Sequence, residues 1–308
     1  MAGLLTVVVF GVGAIGGLFA YFLVRGGARV IGVGRTYQVL AVRNRGLRVV
    51  ETDGSEEVVR FPIYARAEEV EERPDVVLLT VKAYDTRTAV RAAQPLLQDR
   101  ILLLCLQNGL DVEKEARELY TCVGRGVTAQ AAYREKPGIV EHRGVGPTII
   151  GRVDGFEEVI GTLVDALRAG GAPAEVVGDI QPYVWEKTVI NAAINPLGAL
   201  TGKRNGELLE DPRLRWTMLE VAREATRVAL AARISLLRSP IDRVLEVCRA
   251  TAANKNSMLQ DLERGRRTEI DYINGAVVRY GQEHRVPTPL NTLLTVAIHC
   301  VERAMKVR

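Results

Sequence analysis

The sequence predicts an α/β chain in which an N-terminal, doubly wound parallel sheet is followed by an all-helical C-terminal domain. Three observations carry this. The run GVGAIG at 11–16 reads G-x-G-x-x-G and stands between an apolar β-rich stretch and an apolar helical one. Strand-like and helix-like patterns then alternate to about residue 119. Beyond Asp179 almost every segment has helical periodicity. A chain of 308 residues, 47% hydrophobic and 25% charged, has material for two cores, expected here as 1–178 and 179–308.

The first element has to be separated from a membrane span. Residues 4–24 carry no charge over 21 positions, long enough to cross a bilayer. Yet no basic segment precedes them, and the glycines have a use of their own if 4–10 is a strand and 18–24 a buried helix. Gly11 then allows a tight turn, Gly13 lets the backbone approach a pyrophosphate, and Gly16 lets the helix pack closely on the strand. The N–H groups at the helix start would meet the phosphates. This is a Rossmann-like arrangement, and Gly11, Val12, Gly13, Ala14, Ile15 and Gly16 are its expected cofactor contacts. The alternative is a glycine-rich membrane helix.

The second strand, 28–33, ends at Gly34-Arg35-Thr36. No Asp or Glu stands there to bind an adenosine ribose, whereas the Arg35 guanidinium suits a ribose 2′-phosphate. The cofactor expected is therefore NADP(H), with a solvated loop arginine as the plainer reading. Strands at 75–81 and 100–106 and helices at 84–97 and 111–119 continue the pattern. Ligands of such sheets bind beyond the strand C-termini, where Lys82 (TVKAYDT) and Asn108 (LQNG) stand; either is equally a turn residue. Residues 121–178 read as an antiparallel extension: short strands at 126–133, 139–142 and 148–151, a helix at 156–169 and a strand at 174–177.

Helices are then expected at 181–200, 211–232, 240–249, 256–264, 271–284 and 289–306. In the first of them, Lys187, Asn191 and Asn195 recur every four residues among apolar neighbours, forming a narrow polar stripe. Periodicity alone fits either a lysine that reaches water or a stripe that meets a polar ligand. Only seven of the 41 basic residues are lysine, which favours a role for this one. Pro196 removes the hydrogen bond to the Ala192 carbonyl and is expected to kink the helix near Asn195.

Composition excludes several classes. The net charge of +4 is spread over interspersed residues, with Arg264–Arg267 the one tight basic cluster and aromatics at 5%, so no nucleic-acid surface is expected. Cys105, Cys122, Cys248 and Cys300 lack metal spacing and read as buried free thiols; with three histidines, a protein-bound metal is not expected.

Taken together, GVGAIG, TVKAYDT, LQNG, K-x-x-x-N-x-x-x-N-P with NGEL after it, and NSMLQDLERGRRTEIDYINGAVV resemble the ketopantoate reductase (2-dehydropantoate 2-reductase) family, over residues 6 to about 290. The last motif is long and more specific than the glycine run; residues 122–152 depart most from the family's pattern. The resemblance implies a cytoplasmic enzyme that reduces 2-dehydropantoate with NADPH on the route to coenzyme A, with no membrane partner and a homodimer left open. It places the family's general acid on Lys187 and its substrate contacts on Asn108, Asn191, Asn195, Asn205 and Ser257. Glu269 takes a catalytic and cofactor-facing place, and Arg35, Lys82, Asn108 and Ala132 join the glycine run as cofactor contacts. The chemistry agrees: hydride delivery to a ketone leaves charge on oxygen, and an amine desolvated on an apolar helix is prepared to give up a proton. Read without the resemblance, Ser257 and Glu269 are ordinary residues near helix starts. A dehydrogenase of another 2-oxo or 3-hydroxy acid and a non-catalytic NADP-binding sensor remain alternatives.

Overall fold

The structure, a computed structural model, describes residues 4–98 and 100–306; the outermost residues of the two expected domains lie outside it. The chain divides into two compact units. One comprises the residues up to Gln107 with Val112–Ile180, the other Asn108–Asp111 with the residues from Gln181 onward.

The first unit opens as the glycine run requires, with β1 (Thr6–Phe10), α1 (Ala14–Arg25) and β2 (Arg29–Val33). Next come α2 (Thr36–Arg45), β3 (Leu47–Val50), β4 (Glu56–Val59), β5 (Ile63–Tyr64), β6 (Val76–Leu79), α3 (Thr86–Ala92), β7 (Leu102–Cys105) and α4 (Val112–Arg117). The unit closes with β8 (Val123–Thr128), β9 (Ala131–Tyr133), β10 (Ile139–Gly144), β11 (Thr148–Gly151), α5 (Glu157–Ala169) and β12 (Ala174–Val177). Eight strands form one sheet in the order β12-β11-β8-β7-β6-β1-β2-β5. Pairing is parallel from β5 through to β8, so β1 lies between β2 and β6, where the chain first runs one way and then returns to the other side. The glycine run leaves the C-terminal end of β1, the switch point at which open α/β sheets bind ligands.

The expected antiparallel extension holds only in part. β8 continues the parallel sheet beside β7, β11 is antiparallel to β8, and β12 is parallel to β11. The expected single strand at 126–133 is two, β8 and β9, in different sheets. A second sheet, β4-β3-β10-β9, is absent from the sequence reading because its β3–β4 hairpin is short and charged on its open side. The helix expected at 84–97 shrinks to α3 between 3-10 turns at Ala83–Asp85 and Gln94–Leu96, the second containing Pro95, which cannot donate to a continuing helix.

The second sheet explains why α1 carries no charge before Arg25 at its last position. Every residue from Gly16 to Leu23 is buried. Leu18, Phe19, Phe22 and Leu23 join one core with Leu47 and Val49 of β3, Val140 of β10, Ile160 and Leu163 of α5 and the strands of the large sheet. A helix covered on all sides has no solvent face and therefore no polar stripe. Truncating one such residue, Leu18→Ala, would cost about 2–5 kcal/mol. Among the described residues no helix is long and apolar enough to cross a membrane.

The second unit is helical: α6 (Gln181–Thr201), α7 (Glu207–Glu210), α8 (Pro212–Ala231), α9 (Pro240–Ala250), α10 (Ser257–Glu263), α11 (Asn274–Glu283) and α12 (Pro289–Ala304). Several starts are written locally. Proline occupies the first position of α8, α9 and α12, where its missing N–H costs nothing. Asp211, Ser239 and Asn256 cap α8, α9 and α10 with their side-chain oxygens. α6 is the axis of the unit, with Val184, Trp185, Val189, Ala192 and Ala193 buried, and Trp185 packs edge-on against Tyr280 of α11 at 5.1 Å between rings.

Candidate functional site

In the first unit the glycines divide by what a side chain would meet. Gly11 has φ +104°, and a Cβ there would lie 2.9 Å from the Val81 nitrogen; at Gly16 it would lie 2.3 Å from the Gly11 carbonyl oxygen. Both are excluded by the protein itself. At Gly13 a Cβ would come no nearer than 3.8 Å to any atom, so nothing in the chain demands glycine there. The open space before the α1 N-terminus, where Ala14, Ile15 and Gly16 present N–H groups without intrahelical acceptors, fits a phosphate-bearing cofactor. Thr80, unnoticed in the sequence, donates its hydroxyl hydrogen toward the Gly11 carbonyl at 2.9 Å and ties the loop to the end of β6. Val12, between the two turn glycines, is buried.

Arg35 is exposed at the start of α2, beside Tyr37. Arg134, just past β9, stacks over the Tyr37 ring at 5.4 Å and donates to its hydroxyl at 3.3 Å. Burial alone would raise the Tyr37 phenol, but hydrogen bonds and charge from Arg134 and Arg35 bring it below its usual value. Two guanidiniums thus converge on one exposed tyrosine beyond the end of β2, a cationic set suited to an anion. The sequence singles out Arg35 but not Tyr37 or Arg134, because residues 97 apart announce no contact. Lys82 is half-buried and begins the turn after β6. That turn is held by Thr86, which donates to the Ala83 carbonyl at 2.7 Å and accepts from Gln107 Nε2 at 3.1 Å. Ala132 lies in β9 opposite His142, its side chain against the core.

In the second unit Lys187, Asn191 and Asn195 lie along one face of α6, as their spacing requires. Lys187 and Asn191 are half-buried and Asn195 is 4% exposed. Among the described residues neither the Asn191 nor the Asn195 side chain has a hydrogen-bond partner. α6 continues past Pro196 to Thr201.

Glu269 is 5% exposed, which removes the reading of it as a solvated residue near a helix start. Its Oε2 accepts from Asn108 Nδ2 at 3.0 Å. The Asn108–Asp111 segment is fixed there by Leu110 N–H donating to the Tyr272 carbonyl at 2.9 Å and by the Tyr280 hydroxyl donating to Asp111 at 2.7 Å. Gly109, at φ +86°, passes so close that a Cβ would lie 2.3 Å from the Tyr272 oxygen. Asn108 is therefore both the turn residue that Asn-Gly suggests and the partner of a buried carboxylate.

The remaining candidates stand apart. Asn205 is buried, donating through Nδ2 to the Thr251 hydroxyl at 2.8 Å, while its Oδ1 is buried without a partner among the described residues. Ser257 is exposed at the start of α10, and the capping expected of it is performed by Asn256, whose Oδ1 accepts from Leu259 N–H at 3.0 Å. Among the described residues neither Asn205 nor Ser257 hydrogen-bonds to the α6 stripe. The thiols correct the sequence reading: Cys105 and Cys248 are buried, but Cys122 is half-buried and Cys300 exposed.

Two family models match the chain: one described as "Ketopantoate reductase PanE/ApbA" over residues 7–155, the other as "Ketopantoate reductase PanE/ApbA C terminal" over residues 179–302. The chain is 34% identical over 297 residues to a 2-dehydropantoate 2-reductase of Pyrococcus horikoshii, covering 96% of each. It is 36% identical over 301 residues to one from Halobacterium salinarum, covering 96% of this chain and 99% of the other. A solved PanE/ApbA family ketopantoate reductase from Ralstonia eutropha superposes with TM-score 0.91 at 30% identity, over 98% of this chain and all of that one. A ternary structure of D-mandelate dehydrogenase with NADH and anilino(oxo)acetate superposes with TM-score 0.90 at 27% identity, over 99% and 100%.

Proposed function

The chain belongs to the ketopantoate reductase family, and from that premise we propose that it reduces 2-dehydropantoate to pantoate with NADPH, a cytoplasmic step toward coenzyme A. The observation that carries the reading is the α6 face, where a half-buried lysine shares a stripe with two asparagine amides that have no hydrogen-bond partner among the described residues. When bound, the cofactor supplies the hydride.

The chain's own residues supply the rest. Charge that develops on the ketone oxygen needs a proton donor within hydrogen-bond reach, and the Lys187 ammonium is the donor proposed. Asn191 and Asn195 hold the carboxylate and hydroxyl of the 2-oxo acid without adding charge of their own. Glu269, its Oε2 held by Asn108, is the carboxylate proposed to fix the amine's direction. Asn205 and Ser257 complete the proposed substrate contacts. Gly11 to Gly16 take the pyrophosphate, with Lys82, Asn108 and Ala132 beside the cofactor. Arg35, with Arg134 and Tyr37, reads the 2′-phosphate. The cofactor thereby belongs to residues 1–178 and the substrate mainly to 179–308.

A second reading has its own support in the likeness to the ternary structure of D-mandelate dehydrogenase with NADH and anilino(oxo)acetate: an NADH-using dehydrogenase of a different 2-oxo acid. Initial rates with NADPH and with NADH, each against 2-dehydropantoate, an aromatic 2-oxo acid and a short aliphatic one, separate the two. The proposal expects the highest kcat/KM for NADPH with 2-dehydropantoate; a preference for the aromatic acid with NADH overturns it.

A further inference from the structure

Pro196 has no N–H, so the Ala192 carbonyl in the middle of α6 lacks the hydrogen bond a helix would give it. In the structure that carbonyl accepts from Asn274 Nδ2, at the first position of α11, over 3.0 Å. The other Asn274 amide hydrogen goes to Asn291 Oδ1, also at 3.0 Å. Asn291 in turn donates through Nδ2 to Glu224 Oε2 at 2.9 Å and toward the Val221 carbonyl at 3.3 Å. Glu224 accepts in addition from the backbone N–H of Leu290 and of Asn291, both at 3.0 Å. Asn274 and Asn291 are 0% exposed and Glu224 is 3% exposed.

This chain of bonds has one direction. A carboxylate in contact with N–H groups only accepts, so Asn291 must turn its nitrogen toward Glu224 and its oxygen toward Asn274. Asn274 must then present nitrogen both to Asn291 and to Ala192; its own Oδ1 is buried with no partner among the described residues, so the side chain serves as a donor alone. Glu224 also stands where an N-cap side chain would, because Thr288 makes no cap to α12 and the carboxylate meets the first free N–H groups of that helix. Among the described residues no cation lies within ion-pair distance of it, so the helix start and the amides balance its charge.

We propose that Asn274 is a positioning residue for the reacting face of α6, and that Glu224, acting through Asn291, sets its orientation. Ala192 follows Asn191 and Pro196 follows Asn195, so the carbonyl that Asn274 holds lies between the two substrate amides. Asn274 replaces the one backbone hydrogen bond the helix lacks at that point, which keeps both amides at fixed places on the stripe. The kinetic part of this inference rests on the proposed reduction; the structural part does not.

The test is a double-mutant cycle between Asn274→Ala and Pro196→Ala, the latter giving position 196 an N–H that can serve Ala192. Asn274→Ala alone should lower kcat/KM for 2-dehydropantoate by about 10-fold or more, chiefly through KM, while NADPH affinity stays within about 2-fold. In the Pro196→Ala background the same change should cost no more than about 3-fold, because the carbonyl is already bonded. A merely structural residue would lower Tm and leave KM of the folded enzyme unmoved. An equal loss in both backgrounds overturns the proposal, as does an unchanged KM for Asn274→Ala. If Asn274→Ala does not fold, a folded double variant supports the proposal and an unfolded one overturns it. If the wild type does not reduce 2-dehydropantoate, the proposed function fails; amide hydrogen exchange across residues 191–200 in the same proteins then decides the positioning role. Faster exchange on Asn274→Ala that Pro196→Ala suppresses supports it, and no change overturns it.

Discussion

Asn108 donates its side-chain amide to Glu269 over 3.0 Å, joining residues 161 apart in the chain. The carboxylate is almost wholly buried, and that amide holds its Oε2. Asn108→Ala and Glu269→Gln should each lower kcat/KM. Their double variant should lose less than the two combined, with a coupling of about 1–3 kcal/mol for a charge-assisted hydrogen bond. Strict additivity in the kinetic cycle would show that the pair does not act as a unit.

Lys187→Ala should reduce kcat/KM by about 10²-fold or more, the scale for losing a positioned acid. NADPH binding should change little, because the proposed phosphate contacts are elsewhere. Asn191→Ala should act more on KM than on kcat. In the pH profile of kcat the wild type should lose activity at high pH as the amine deprotonates, and the variant should lack that limb. Equal alkaline limbs in both proteins would make Lys187 a lysine that reaches water.

Gly13→Ala and Gly16→Ala should part company. At Gly16 the new methyl would sit 2.3 Å from the Gly11 carbonyl, so the loop must move and Tm should fall. At Gly13 the methyl enters open space, so Tm should hold while NADPH affinity drops by at least about 10-fold if the pyrophosphate approaches there. Calorimetry and cofactor titration on both variants check this; a Gly13→Ala protein that binds NADPH normally places the phosphates elsewhere.

Arg35→Ala and Arg134→Ala should each weaken NADPH far more than NADH, since both guanidiniums converge on Tyr37. Tyr37→Phe tests the hydroxyl separately, by removing the acceptor that Arg134 meets at 3.3 Å. Equal weakening of the two cofactors by either arginine variant would mean that the cluster does not read the 2′-phosphate.

Thiol labelling should follow exposure. Cys300 should react within the native state, while Cys105 and Cys248, whose thiols burial pushes up to about 12, should react only on unfolding. Four thiols labelled at one native-state rate would contradict the burial of Cys105 and Cys248.

Much of this protein is determined locally and was therefore legible in its sequence. A glycine run between an apolar strand and an apolar helix has one economical backbone solution, and the caps Asp211, Ser239 and Asn256, the first two followed by proline, mark helix starts within a turn of their own position. The Lys187, Asn191 and Asn195 stripe is fixed by helix periodicity alone. What the stripe's neighbours are is a different kind of fact. Asn108 with Glu269, Tyr37 with Arg134, and Asn274 with the Ala192 carbonyl meet across 161, 97 and 82 residues. No periodicity encodes such a contact, because each is set by where packed elements bring their surfaces together. Sequence foretold that Pro196 leaves a carbonyl without a donor; only the packing of α11 against α6 supplied the donor, since a buried carbonyl must find one and Asn274 is the amide the fold delivers to it.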